Sequence, residues 1–269
     1  MNTTRGQPTR AVYGLSVLLL KLLREEQPLG LCFALDRPEP TFRHRLNAAY
    51  KATRAPTPHD LSAEWPLLER LIEASGVPAF GVAGFEADDV LATLANRLRE
   101  AEIASLIASG DRDVLQAASG GCSVLFVGRR GQPSLRFDEA AVVCRFGVQP
   151  RELSSYLALV GDVSDNVGGV PGIGPRTARQ LLERYGSVAE LLRALEALEP
   201  RRLRDKLEAH KTELHENAEL MRLRTDVPLP DAPLFASIEP GGWLKLRALF
   251  EELEFKSLLP RLEALSRAG

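Results

Sequence analysis

The chain has 269 residues, 45% hydrophobic and 26% charged, with a formal net charge of −2. This is the composition of a soluble globular protein with one large domain, or one domain plus a small one. It excludes a uniformly basic nucleic-acid binder, so a phosphate-binding surface must come from local segregation of charge. Cys32, Cys122 and Cys144 lie far apart without a CxxC pair, which argues against a zinc site or a disulfide framework and suits a reducing cytoplasm.

The first predicted element is a helix over AVYGLSVLLLKLLREE. Its apolar run is interrupted by Lys21 and is too short to span a bilayer. No small-residue cleavage site follows the leading MNTTRGQPTR, so no signal peptide and no membrane partner are expected. GLCFALD reads as a buried strand ending on Asp36, followed by the polar, basic segment TFRHRLNAAYKATRAPTPHD. A helix over AEWPLLERLIEASG stops at Gly76, and VPAFGV is strand-like. FEADDVLATLANRLREAE is an amphipathic helix, ASLIASGDRD a buried strand ending in acids, and SVLFVG a further strand. Short apolar strands alternating with helices predict an α/β fold with a parallel-rich central sheet. Beyond residue 150 strand signals mostly vanish, and LSSYLALVGD, PRTARQLLERYG, VAELLRALEAL, RLRDKLEAHKTELHENAELMRLR and WLKLRALFEELEFKSLLPRLEAL read as helices. The chain thus divides into an α/β part, residues 1–150, and a helical part, residues 151–269.

Eight carboxylates fall at strand ends or helix starts: Asp36, Glu86, Asp88, Asp89, Asp111, Asp113, Asp162 and Asp165. Singly, each has an ordinary explanation, as a helix-dipole partner, cap or turn residue. Together they converge, because strand ends of a parallel sheet share one face. So many acids repel one another unless a cation neutralises them. An all-oxygen donor set without His or Cys suits Mg²⁺ or Mn²⁺, and two such ions about 4 Å apart are a standard device for phosphodiester hydrolysis.

Two further segments suit phosphate. VPGIGPRTARQLLERYG places a glycine hairpin before a helix whose first N–H groups can hold a phosphate, with Arg176 and Arg179 on the helix; its plain alternative is a turn between packed helices. TFRHRLNAAYKATRAP concentrates Arg43, Arg45, Lys51 and Arg54 with Tyr50. If helical, it sets Lys51 and Arg54 on one face and leaves Tyr50 for stacking on a base. A solvated basic helix is the alternative.

FEADDVLATLA, SGDRDVLQ, GDVSDN followed by GVPGIGPRTARQLLERYGS, AAYKATRAPTP, and the later RTDVPLP and LFEELEFKSLL resemble, in order, the 5′-3′ exonuclease domain of bacterial DNA polymerase I, part of the flap endonuclease family. The resemblance implies a PIN-like α/β nuclease domain with a helical arch and a helix-hairpin-helix module. It implies two divalent metals and a substrate of DNA with a free 5′ end or 5′ flap. Asp36, Glu86, Asp88, Asp89 and Asp111 fall on the family's first metal cluster. Asp113, Asp162 and Asp165 fall on the second, with Asp111 near both. Lys51 and Arg54 match the basic active-site pair of the arch. Gly172 and Gly174, with Arg176, Thr177 and Arg179 behind them, match the hairpin that holds duplex backbone, often with a potassium ion. A monomer working beside a DNA polymerase in replication and repair is the implied setting.

The match begins only after the family's first strand, which ends in an Asp-Gly pair whose aspartate is a first-cluster ligand. A chain without that strand is expected to expose apolar edges on the neighbouring strands. It also has a second reading, as a catalytically impaired or inactive binder of flapped or branched DNA. A third reading, a DxDxT-type phosphatase, fits poorly, because the DRD at Asp111 lacks the threonine and the glycine hairpin would go unexplained.

Overall fold

The computed structural model describes residues 1–55, 58–128 and 132–267. In chain order the elements begin with α1 (Arg10–Glu26), β1 (Phe33–Ala34), α2 (Phe42–Leu46), α3 (His59–Ala63), α4 (Trp65–Ser75), β2 (Ala79–Phe80), α5 (Ala87–Glu100), β3 (Ser105–Ser109), β4 (Cys122–Phe126) and β5 (Leu135–Phe137). Then follow α6 (Glu139–Phe146), α7 (Leu153–Val160), β6 (Gly161–Asp162), β7 (Val167–Gly168), α8 (Pro175–Tyr185), α9 (Val188–Arg193), α10 (Arg201–Ala209), α11 (Lys211–Met221), α12 (Pro240–Glu252) and α13 (Leu259–Ser266). The fold is mixed α/β, as expected. The sheet is less parallel than expected: β3 and β4 pair in parallel, whereas β4–β5 and β6–β7 are antiparallel. β3 forms one edge of its three-stranded sheet, with Leu106 and Ala108 only half-buried.

Two compact units organise the chain. One comprises residues 1–33, 55–80 and 230–269, the other residues 34–54 and 81–229. This partition is discontinuous in sequence and does not follow a division at residue 150. Among the described residues no helix is long and apolar enough to cross a membrane.

In the first unit, α1 packs one apolar stripe, through Val12 and Leu20, toward a core shared with Leu67 and Leu71 of α4 and with Leu246, Leu249 and Phe250 of α12. Its N-terminus is capped from a distance. The Glu64 carboxylate, 2% exposed, accepts the backbone N–H groups of Arg10, Ala11 and Val12 at 3.0, 2.6 and 3.0 Å. Three of the four donors that a helix start leaves unpaired are thereby satisfied.

The second unit holds every residue predicted for function. α7, apolar on nearly all sides, is buried among α8, α9 and α11 through Leu159, Leu182, Leu191 and Leu214, and Ile107 and Val124 carry this core into the sheet. α5 turns Val90, Leu94 and Ala95 inward and presents its acidic first turn at the opposite end.

Candidate active site

The acids are set by four local devices. Asp36 follows β1, and its Oδ1 accepts the Ala87 N–H at 2.8 Å, fixing the start of α5. Glu86 is the N-cap of α5, with Asp88 and Asp89 in the first turn, where carboxylates offset the helix dipole. Asp111 follows β3 and accepts the Asp113 N–H at 3.1 Å. Asp162 and Asp165 lie on the β6–β7 hairpin, where Asp162 Oδ1 accepts the Ser164 N–H at 2.7 Å. That hairpin needs its glycines: a Cβ on Gly169 would lie 2.3 Å from the Val160 carbonyl carbon, and one on Gly161 (φ +86°) 2.6 Å from Gly169 N.

The electrostatics couple acids that come from different segments. Burial pushes the Asp88 carboxyl up to about 7, and the charges of Asp111 and Asp36 push in the same direction. Burial likewise raises Asp113 well above the usual carboxylate range, reinforced by Asp111, Asp165, Asp88 and Asp162. Asp88 and Asp113 therefore feel acids that are distant in sequence.

Part of this charge is neutralised by the basic segment. Lys51 Nζ lies 2.8 Å from Glu86 Oε1, and Arg54 Nη2 lies 2.6 Å from Asp165 Oδ1. Tyr50 Oη lies 2.8 Å from Asp165 Oδ2 and 3.1 Å from Glu86 Oε2, so its one proton is shared between the two carboxylates. The Lys51 N–H donates to the Asp165 carbonyl at 3.0 Å, and Asn166 Nδ2 to the Ala49 carbonyl at 2.8 Å. The basic loop is thus fastened to the acid hairpin at several points. Asn166 was not singled out from the sequence; its place directly after Asp165 was the only available signal.

Three expectations are corrected. The segment around Lys51 and Arg54 is not helical: it runs through turns after α2, with Lys51 at φ +56°. Tyr50 is 3% exposed and hydrogen-bonded to two acids, so it is not free to stack on a base. Arg43, expected at DNA, is 2% exposed and forms a bidentate pair with Asp89, expected at metal; each side chain satisfies the other inside the protein. Pairing raises the Arg43 pKa although burial alone acts to lower it.

The hairpin before α8 is exposed as predicted. Gly172 (φ +75°), Gly174 and Arg176 are exposed, Thr177 is half-buried, and Ile173 anchors the turn in the core. Arg179 is exposed, but its Nε donates to the Phe146 carbonyl at 2.6 Å. Lys206 of α10 was missed: its ammonium lies 2.5 Å from where a Cβ on Gly172 would sit. No spacing rule links residues in different helices, so only the fold could reveal it.

The donors fit a hard divalent cation in chemistry. They are all carboxylates, and Asp88 and Asp113 repel each other; among the described residues no basic side chain forms an ion pair with either, although the Lys51 charge acts to lower Asp88. Among the described residues, however, no three His, Cys, Asp or Glu side chains are already gathered as a cage for one ion.

Comparisons with known proteins bear on the family and the fold. Residues 1–147 match the family model of the 5′-3′ exonuclease N-terminal resolvase-like domain, and residues 148–240 that of the 5′-3′ exonuclease C-terminal SAM fold. The chain is 40% identical over 260 residues to thermostable DNA polymerase I of Thermus thermophilus, covering 96% of this chain and 30% of that protein. It is 37% identical over 269 residues to DNA polymerase I of Mycobacterium leprae, covering 99% and 29%. It therefore spans under a third of the length of the curated relatives it matches. Its fold is shared with the flap endonuclease of bacteriophage T5, solved as a complex with DNA and metal ions (TM-score 0.65, 18% identity, covering 97% of this chain and 92% of that one). With both family models matched in order and similarity to two polymerases over nearly all of this chain, the chain belongs to the 5′-3′ exonuclease family, a family of hydrolases acting on DNA.

Proposed function

We propose that this chain is a metal-dependent 5′ nuclease that hydrolyses phosphodiester bonds in DNA bearing a free 5′ end or a 5′ flap. The observation that carries the reading is the mutual repulsion of Asp88, Asp111 and Asp113 beside Lys51 and Arg54. Asp36, Glu86, Asp88 and Asp111 are the first set of metal donors, and Asp113, Asp162 and Asp165 the second, for two Mg²⁺ or Mn²⁺ ions. Bound there, such ions supply a hydroxide nucleophile at neutral pH and hold the leaving oxygen.

The chain's own residues do the rest. Lys51 and Arg54 are the cations that pair with the acids, and they neutralise charge on the phosphate oxygens as the bond breaks. Tyr50 holds Glu86 and Asp165 in register. The hairpin from Gly172 to Gly174, with Arg176, Thr177 and Arg179, holds duplex backbone through its N–H groups, with K⁺ as a cation of this turn. The α/β part, residues 1–150, carries most of the chemistry, and residues 151–269 the duplex grip. The setting we propose is a monomer in the cytoplasm working beside a DNA polymerase; for the last of these the similarity to DNA polymerase I speaks.

A labelled 5′-flap duplex incubated with Mg²⁺ or Mn²⁺ tests this. Cleavage that is lost in Asp113→Asn supports it, and binding without cleavage at every metal concentration overturns it. The second reading, a binder of flapped or branched DNA with impaired catalysis, is favoured by one observation: the acids are not gathered as a cage as they stand. The same assay decides between them.

A further inference from the structure

Arg43 is the second residue of a five-residue helix, yet its side chain is almost wholly enclosed. Nη1 and Nη2 donate to Asp89 Oδ2 and Oδ1 at 2.6 and 2.8 Å. Nε donates to the Leu220 carbonyl at 2.8 Å, and Nη2 also to the Arg222 carbonyl at 3.1 Å. Nη1 lies 3.4 Å from Glu86 Oε2. Four of the five guanidinium N–H groups thus donate to protein acceptors, and Nη1 also faces Glu86 as an ion pair, which leaves little of the fork for a phosphate.

Asp89, fully buried, has a matching set. Besides the guanidinium it accepts the N–H of Glu86 at 3.0 Å and that of Arg224 at 2.9 Å. One ion pair therefore joins three segments: the head of α2, the first turn of α5, and residues 220–224 at the end of α11 and just beyond it. The joint lies one residue from Asp88 and three from Glu86. A planar fork can make these contacts at once, whereas an ammonium cannot.

We propose that Arg43 is a positioning residue of the acid site: by clamping Asp89 it holds the first turn of α5 so that Glu86 and Asp88 face the other acids, and it does not contact DNA. The inference rests on the nuclease reading for its functional weight, but its geometry can be tested separately.

The test uses the full chain and two variants. Arg43→Lys keeps the charge and loses the fork; Asp89→Asn keeps the shape and loses the charge. Folding is checked by circular dichroism, and three readouts follow. Flap-DNA affinity in EDTA stays within about twofold of the parent, where loss of a phosphate contact would lower it and reduce the salt slope by about one. Mn²⁺ affinity, read by electron paramagnetic resonance, falls roughly tenfold, and kcat for cleavage falls on the order of 100-fold with KM nearly unchanged. Hydrogen exchange of the Glu86–Val90 amides rises on the order of tenfold more than that of the rest of α5.

A folded variant with parental Mn²⁺ affinity and parental exchange overturns the inference, as does a fall in DNA affinity with Mn²⁺ binding intact. If the parent itself binds no Mn²⁺ and cuts no DNA, the nuclease reading fails, and the exchange measurement alone supports or overturns the clamp. If one variant does not fold, the other carries the same readouts.

Discussion

Lys51 Nζ lies 2.8 Å from Glu86 Oε1, so a side chain expected to face DNA neutralises one expected to hold metal. The pair is partly buried and joins positions 35 residues apart, which makes the basic loop and the acid helix competitors for a single charge balance. A cation entering the site takes over part of the role that Lys51 now fills.

Lys51→Met is accordingly expected to act in opposite directions on binding and on catalysis. Removing the ammonium leaves Glu86 without its counter-charge and raises Mn²⁺ affinity several-fold, about 1 kcal/mol for a partly exposed pair. Flap cleavage falls by roughly 100-fold or more, since on the proposed reading the phosphate loses a neutralising side chain. Calorimetric Mn²⁺ titration beside single-turnover cleavage checks both. A fall in Mn²⁺ affinity would show that Lys51 supports the metal site rather than competing with it.

Asp88 gives a pH dependence. Its carboxyl is held up to about 7 in the folded chain against 3.8 for the free group. Between these values the folded state keeps a proton that the unfolded state has released. Metal-free stability therefore declines as pH rises from about 4 to about 7, by an amount on the order of a few kcal/mol. Asp88→Asn removes this decline, so it should melt higher than the parent at pH 8 and close to it at pH 4. Thermal melts in EDTA at both pH values check this. Mg²⁺ should raise the parent's melting temperature at pH 8 more than the variant's.

Glu64 gives a stability prediction away from the acids. Its carboxylate accepts three N–H groups at the start of α1. Glu64→Ala leaves those donors unpaired in a partly buried setting and is expected to cost about 2–4 kcal/mol. Urea unfolding measures the loss. Duplex binding by the folded fraction should be unchanged, because every residue assigned to DNA belongs to the other unit.

At the hairpin, Gly172→Ala meets a backbone at φ +75° and the Lys206 ammonium. Lys206 can swing aside, but the left-handed backbone cannot be relieved without moving the turn, at a cost of about 1–2 kcal/mol. Duplex affinity in EDTA should fall roughly tenfold. Lys206→Met should lower it less and reduce the salt slope by about one. Anisotropy titrations at several salt concentrations separate these effects.

Much of this site was legible in one dimension. The EADD start of α5, the acids after β3, and the GD–SD–GG–PGIGP order are local patterns, and local patterns constrain turns, caps and helix starts. The helices α1, α4, α5 and α8 follow their periodicity closely, because each has one apolar stripe to bury. The strands were harder to read. β1 and β2 shrink to two residues each, and β6–β7 went unpredicted, because a two-residue ladder has no alternation to detect.

Charge was the least legible property. Arg43, Arg45, Lys51 and Arg54 look alike in the basic segment. Only packing sends Arg43 inward to Asp89, Lys51 to Glu86 and Arg54 to Asp165, across 46, 35 and 111 positions. Residue types and short spacings by themselves determined that this protein concentrates carboxylates near a glycine hairpin and a basic loop. Which of those charges neutralise each other, and which acids are left to repel one another around Asp88 and Asp113, was decided by tertiary structure. Coulomb energy depends on distance and burial, and neither is written in the order of the residues.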